Sequence, residues 1–197
     1  MGKLRAISTA LLFISSLVPA ESVEPNLCER EMVAAASKYQ IPLGVLYAVG
    51  LTETGINGNL RAFSLNLEGK AIYSLDKAQA IERFHAARRE GLKLIDVGCM
   101  QLNYYFHGEH FASVDEMLDP HKNVDYAARF LKALKQQEST WTVAVARYNA
   151  GKNNKEGQKR YVCRVLDRLV QSGFGAWTPQ ASEFCASEKL QTAPQSK

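Results

Sequence analysis

The chain has 197 residues, 46% of them hydrophobic, with 24 lysines and arginines against 20 acidic residues and a formal net charge of +4. That length suits one domain with a real core. No basic stripe interleaved with aromatics marks a nucleic-acid surface, and nothing after the first twenty residues is apolar enough to span a membrane.

Residues 1–20 read as an export signal. Lys3 and Arg5 lead, the apolar run Ala6 to Val18 follows, and Val18-Pro19-Ala20 offers small residues for cleavage. The mature chain then starts near Glu21 and carries 22 basic and 20 acidic residues, a net charge of +2. An exported, periplasmic or otherwise extracytoplasmic chain lives where disulfides persist. The four cysteines Cys28, Cys99, Cys163 and Cys185 allow three pairings. A bridge from Cys185 to Cys28 or Cys163 is expected, because little else in the polar C-terminus would hold it; Cys99 is either bridged or a buried thiol.

The helices are signposted at their ends. Asn26 with Glu29 predicts an N-cap and capping box opening a helix to about Tyr39. Pro42 starts a second helix to Glu53 or Thr54, with Gly55 as its stop. In "AFSLNLEGKAIYS" apolar and polar residues alternate about the turn pair Glu68-Gly69, which predicts a hairpin. Asp76 caps a third helix ending at Gly91, and Ser113 with Glu116 a short turn of helix. Asp119-Pro120 opens a long helix to about Glu138 with Val124, Ala127, Ala128, Leu131 and Leu134 on its apolar face. Thr140 precedes "WTVAVARYN", closed by Gly151, and "EGQKRYVCRVLDRLVQSG" makes a last helix. The expected organisation is a signal at 1–20, a domain at 21–177 and a polar, loosely ordered tail at 178–197.

Two stretches carry chemistry. Leu46, Val49 and Glu53 are spaced by three and four, which sets a carboxylate on the apolar face of the second helix. Desolvation there and the negative pole of the helix C-terminus both favour the protonated acid, a form able to donate a proton near neutral pH. Taken alone, a Glu at a helix end is ordinarily a solvated surface acid. The second stretch, "VGCMQLNYYF", puts a thioether, two amides and three aromatics behind Gly98, a pattern suited either to core or to a groove wall.

Glu53-Thr54-Gly55, Gly98-Cys99-Met100-Gln101 and Tyr148-Asn149-Ala150-Gly151 occur in that order. Together they resemble the Glu-Ser, Gly-x-Met-Gln and Ala-Tyr-Asn-Ala-Gly motifs of the lysozyme-like soluble lytic transglycosylases, over roughly Cys28 to Ser172. The nearest likeness is to their exported bacterial branch. Thr54 stands for the usual Ser, keeping the hydroxyl; Arg147 stands for the usual Ala, which places that helix face either in packing or at a cleft rim. The resemblance implies a mostly α-helical, lysozyme-like (goose-type) fold with a small β-hairpin insertion. It implies peptidoglycan glycan strands as substrate, no metal or other cofactor, and a monomer of a kind that often serves a flagellar, pilus or secretion apparatus. Glu53 would be the catalytic acid/base. Met100 would give the groove an apolar face and Gln101 and Asn103 its hydrogen-bonding edge, with Gly98 admitting the substrate closely. Thr54 would keep its hydroxyl beside the acid, Tyr148 would position the acid or the N-acetyl group, and Asn149 would sit beside it.

The implied reaction cleaves the β-1,4 bond between N-acetylmuramic acid and N-acetylglucosamine and leaves a 1,6-anhydromuramic end, which needs only one enzymic carboxyl. Asp96, two residues before Gly98, leaves open a muramidase that hydrolyses the same bond with water; its alternative role is a cap or ion pair before a turn. A non-catalytic wall-binding assembly factor is a further alternative. His107, His110 and His121 do not have the His-Glu-x-x-His spacing of a metal enzyme.

Overall fold

The structure is a computed structural model in which residues 26–73 and 76–192 are described, with side chains through residue 186. The signal expected at 1–20 lies outside the described residues.

Helix α1 (Leu27–Tyr39) starts at Asn26, whose side chain accepts from the Cys28 N–H. The expected box partner Glu29 is used elsewhere, accepting the Tyr47 hydroxyl at 2.9 Å. Helix α2 (Leu43–Thr54) is apolar on nearly every side and therefore central, with Leu46, Ala48, Val49, Gly50 and Leu51 buried. After the sheet strands described below and α3 (Lys77–Arg89), the short helices α4 (Tyr104–His107) and α5 (Val114–Met117) lead to α6 (Pro120–Gln137), α7 (Trp141–Ala150) and α8 (Lys155–Gln171). Asp119 and Thr140 cap α6 and α7 as their sequence positions predict. Helices α1, α2, α8, α7 and α6 pack each on the next, and α6 returns to α1, closing a ring. Met32, Leu46, Val49, Leu131, Val145 and Tyr161 meet in the core of that ring.

Strands β1 (Leu65–Leu67) and β2 (Lys70–Ile72) form the expected hairpin, with Glu68 and Gly69 both at positive φ in the two-residue turn. It is not a free-standing insertion. β1 also pairs antiparallel with β3 (Ile95–Val97), and β3 with β4 (Leu102–Asn103), in a four-stranded sheet of order β2-β1-β3-β4. The strands are two or three residues long, too short to show an alternating pattern in sequence.

One further expectation is corrected, and one open choice is settled. Residues 179 to 192, read as a loose tail, form helix α9 (Pro179–Thr192). Pro179 occupies its first position, the Thr178 hydroxyl accepts the Ala181 N–H, and Cys185 is bonded to Cys163. The helix has no apolar stripe, so it left no periodic signature. Cys99 is not a thiol: it is bonded to Cys28, which ties the start of α1 to the loop between β3 and β4. Among the described residues no helix is long and apolar enough to cross a membrane.

Candidate active site

The loop Gly98–Gln101 is the platform of the site, and buried Asn123 of α6 holds it. The Asn123 side chain accepts the Met100 N–H at 2.9 Å and donates to the carbonyls of Val97 and Met117, each at 2.9 Å. The asparagine lies so close that a Cβ at position 98 would stand 2.6 Å from its Nδ2, and Gly98 has φ +79°. Glycine is thus required by the packing of Asn123. The substrate contact anticipated for Gly98 is not needed to explain it.

Glu53 arrives from the other side, at the end of α2. The face it shares with Leu46 and Val49 is buried, and Glu53 itself is partly so. Its Oε1 accepts the Tyr161 hydroxyl at 2.5 Å. Burial lifts the carboxyl to about 7, against the pull of the Tyr161 bond; the neighbouring Asp96 raises it further and Arg164 opposes this. The acid is therefore divided between its two protonation states near neutral pH.

A cavity of about 240 Å³ opens over this carboxyl, lined by Glu53, Asp96, Gln101, Asn103, Tyr148 and Asn149 among others. Six residues singled out from sequence thus meet at one place. Asp96 lies opposite Asn103 across the β3–β4 pair and accepts its Nδ2–H at 2.8 Å, while burial raises its carboxyl above the ordinary value. Gln101 adopts a left-handed backbone (φ +44°), and its Nε2 donates to the carbonyls of Gly98 and Ser64. The amide nitrogen is thereby committed to the loop. Tyr148 donates to the Met100 carbonyl at 2.9 Å. The hydroxyl that holds the acid belongs to Tyr161.

Met100 and Thr54 do not present side chains to the cavity, contrary to expectation. Met100 is 0% exposed and Thr54 1% exposed. Met100 packs into the core beneath the platform, and the Thr54 hydroxyl reaches the carbonyls of Gly50 and Cys99, joining the end of α2 to the loop. Arg147 is paired with Glu138 and is not among the residues that line the cavity.

The remaining lining includes Phe106, His107 and Phe130. His107 Nδ1 lies 3.0 Å from the Tyr126 hydroxyl, and burial, then His110, holds its pKa below the ordinary value, so it is neutral at pH 7. Tyr161 was not singled out from sequence, although one signal was available. It is 1% exposed in the stripe formed with Val162 and Val165, and a tyrosine hydroxyl in such a stripe must find a partner.

The family model described as Transglycosylase SLT domain matches residues 31–169. No curated protein and no solved structure matches the chain.

Proposed function

From the premise that the chain belongs to the transglycosylase SLT family, whose members act on peptidoglycan, we propose that it is an exported lytic transglycosylase with Glu53 as its one acid and base. In this reading Glu53 protonates the oxygen bridging N-acetylmuramic acid to N-acetylglucosamine, and the C1–O bond breaks. The substrate's acetamido oxygen supports the positive carbon. The resulting carboxylate then takes the proton of the C6 hydroxyl as that oxygen bonds to C1, leaving a 1,6-anhydromuramic end. Water is not consumed, so no second base is required.

The observation that carries the reading is a carboxyl raised to about 7 at the floor of a cavity bounded by Gln101, Tyr148 and Asn149. An acid that is protonated and ionised in comparable amounts suits both half-reactions. Tyr161 steadies the ionised form, and Gln101 of the Gly98–Gln101 loop lines the same cavity. Two disulfides among the described residues suit an oxidising, extracytoplasmic compartment.

Asp96 lines the same cavity and supports a second reading, in which it directs a water and the bond is hydrolysed. Mass spectrometry of digested peptidoglycan separates the two: anhydromuramic ends are expected, and reducing ends without them would establish hydrolysis. Glu53→Gln should lower the rate about 10²- to 10⁴-fold. Undiminished lysis would instead favour a non-catalytic wall-binding factor.

A further inference from the structure

A sugar ring has an apolar face and a hydroxyl edge, so a cleft that grips one needs both kinds of surface. The amides and carboxyls around Glu53 provide for the edge. The apolar face that the sequence places on Met100 is absent, because that side chain is 0% exposed. Of the large hydrophobic side chains that stand exposed among the described residues, Phe106 alone also lines the Glu53 cavity. An exposed aromatic needs no explanation by itself. One that is 62% exposed and also forms part of the wall beside a raised carboxyl does.

The geometry of the ring fits that role. Phe130, in the same wall, is already engaged, with His107 at 5.0 Å and Tyr148 at 5.6 Å between centroids. Phe106 meets the Tyr105 ring in an edge-to-face pair, with centroids 5.1 Å apart and planes at 88°. A perpendicular pair cannot cover both faces of either ring, so a face of Phe106 stays free of Tyr105. The short helix that carries it is held at both sides. Tyr104 packs on Phe84 of α3 at 4.8 Å, and the Tyr105 N–H is accepted by Asn103, whose amide donates to Asp96 in the cavity. A ring presented in this way loses little freedom on binding.

We propose that Phe106 is a specificity-determining residue of the cleft, on whose free face the apolar side of an N-acetylhexosamine ring stacks while Glu53 meets the bond to be cut. The proposal rests on the reading of the chain as a peptidoglycan-cleaving enzyme. The polarised axial C–H groups of a pyranose are attracted by the electron-rich face of an aromatic ring, which an aliphatic side chain of similar volume does not offer. Stacking touches the sugar and not the reacting atoms. It therefore favours the bound strand and the transition state equally, and its loss raises KM while kcat is kept.

The test uses the full mature chain with both disulfides formed. KM and kcat for release of anhydromuramic product from uncross-linked glycan strands are measured for the natural chain and for Phe106→Ala, Phe106→Leu and Phe106→Tyr. Binding of a short strand of alternating N-acetylglucosamine and N-acetylmuramic acid is measured by calorimetry on the same substitutions in a Glu53→Gln background, which removes turnover. KM should rise about tenfold in Phe106→Ala and Phe106→Leu with kcat kept within about twofold, and should stay near the natural value in Phe106→Tyr. Strand affinity should follow KM. A KM untouched by Phe106→Ala, or restored by Phe106→Leu as fully as by Phe106→Tyr, overturns the proposal, and so does a loss confined to kcat. Strand affinity that falls as expected while the natural chain releases no anhydromuramic product would support the stacking and overturn the proposed reaction instead.

Discussion

The placement of Glu53 implies that its replacement stabilises the protein, by an amount that grows from nothing near pH 4 to its full value above about pH 7. The carboxyl titrates near 7 in the folded chain against an ordinary 4.5, a gap of about 2.5 pH units. Because the folded pKa is the higher one, the group's favourable contribution is complete below pH 4.5 and is lost as pH rises through 7. At 1.36 kcal/mol per unit, ionisation costs the natural fold about 3 kcal/mol by pH 8. Glu53→Gln removes that cost while keeping an oxygen to accept from Tyr161. The variant should therefore match the natural chain near pH 4, exceed it by about 1 kcal/mol near pH 5.5, and by about 3 kcal/mol at pH 8. Urea unfolding followed by circular dichroism, with disulfides intact, reads this as a midpoint difference growing to about 1.5 M for a slope near 2 kcal/mol/M. A difference that is flat from pH 4 to 8, or a variant less stable at pH 8, would refute the claim that burial holds this acid protonated.

Three other outcomes are expected. Tyr161→Phe removes the donor that favours the carboxylate while burial and Asp96 remain, so the alkaline limb of the pH–rate profile should move up by about one unit; a limb that stays or moves down says that Tyr161 does not hold the acid. Asn123→Ala leaves the Met100 N–H and two carbonyls without their buried partner, at a cost of about 3–5 kcal/mol in urea unfolding; a loss below about 1 kcal/mol would show that the Gly98–Gln101 loop is held by other contacts. Cys28→Ser/Cys99→Ser opens a bridge of sequence separation 71, for which loop-closure entropy gives about 4 kcal/mol and a melting temperature lowered by about 10 °C.

The helical frame was legible because its signals are local. Asp76, Asp119 and Thr140 each satisfy a first-turn N–H, and α6 and α8 carry continuous apolar stripes. Spacing set Glu53 on an apolar face, but it was the three ordered motifs, not the spacing, that marked it as a candidate. What escaped depends on partners far away in sequence. Tyr161 is 108 residues from Glu53, and Asn123 is 23 from the amide it holds; nothing beside either residue announces the bond. The same distance explains Met100, which sequence assigns equally well to a groove wall or to the core below it. Short strands and a helix without periodicity failed for another reason: three residues of β3 and the evenly mixed α9 contain too few repeats to define a face.

An acid near 7 needs walls that do not yield to water, and each wall here is tied down by something other than apolar packing. Thr54 binds the end of α2 to the Cys99 carbonyl, Cys99 is bonded to α1, and Asn123 holds the adjacent amide. If any tie slackened, solvent would reach the carboxyl and return it toward 4.5, where it could no longer donate at neutral pH. The cost of a partly buried ionisable group and the polar ties beneath it are therefore one arrangement: the ties hold the end of α2 and the Gly98–Gln101 loop in place around the carboxyl, and the raised acid is the group that the proposed reaction would use as its proton donor.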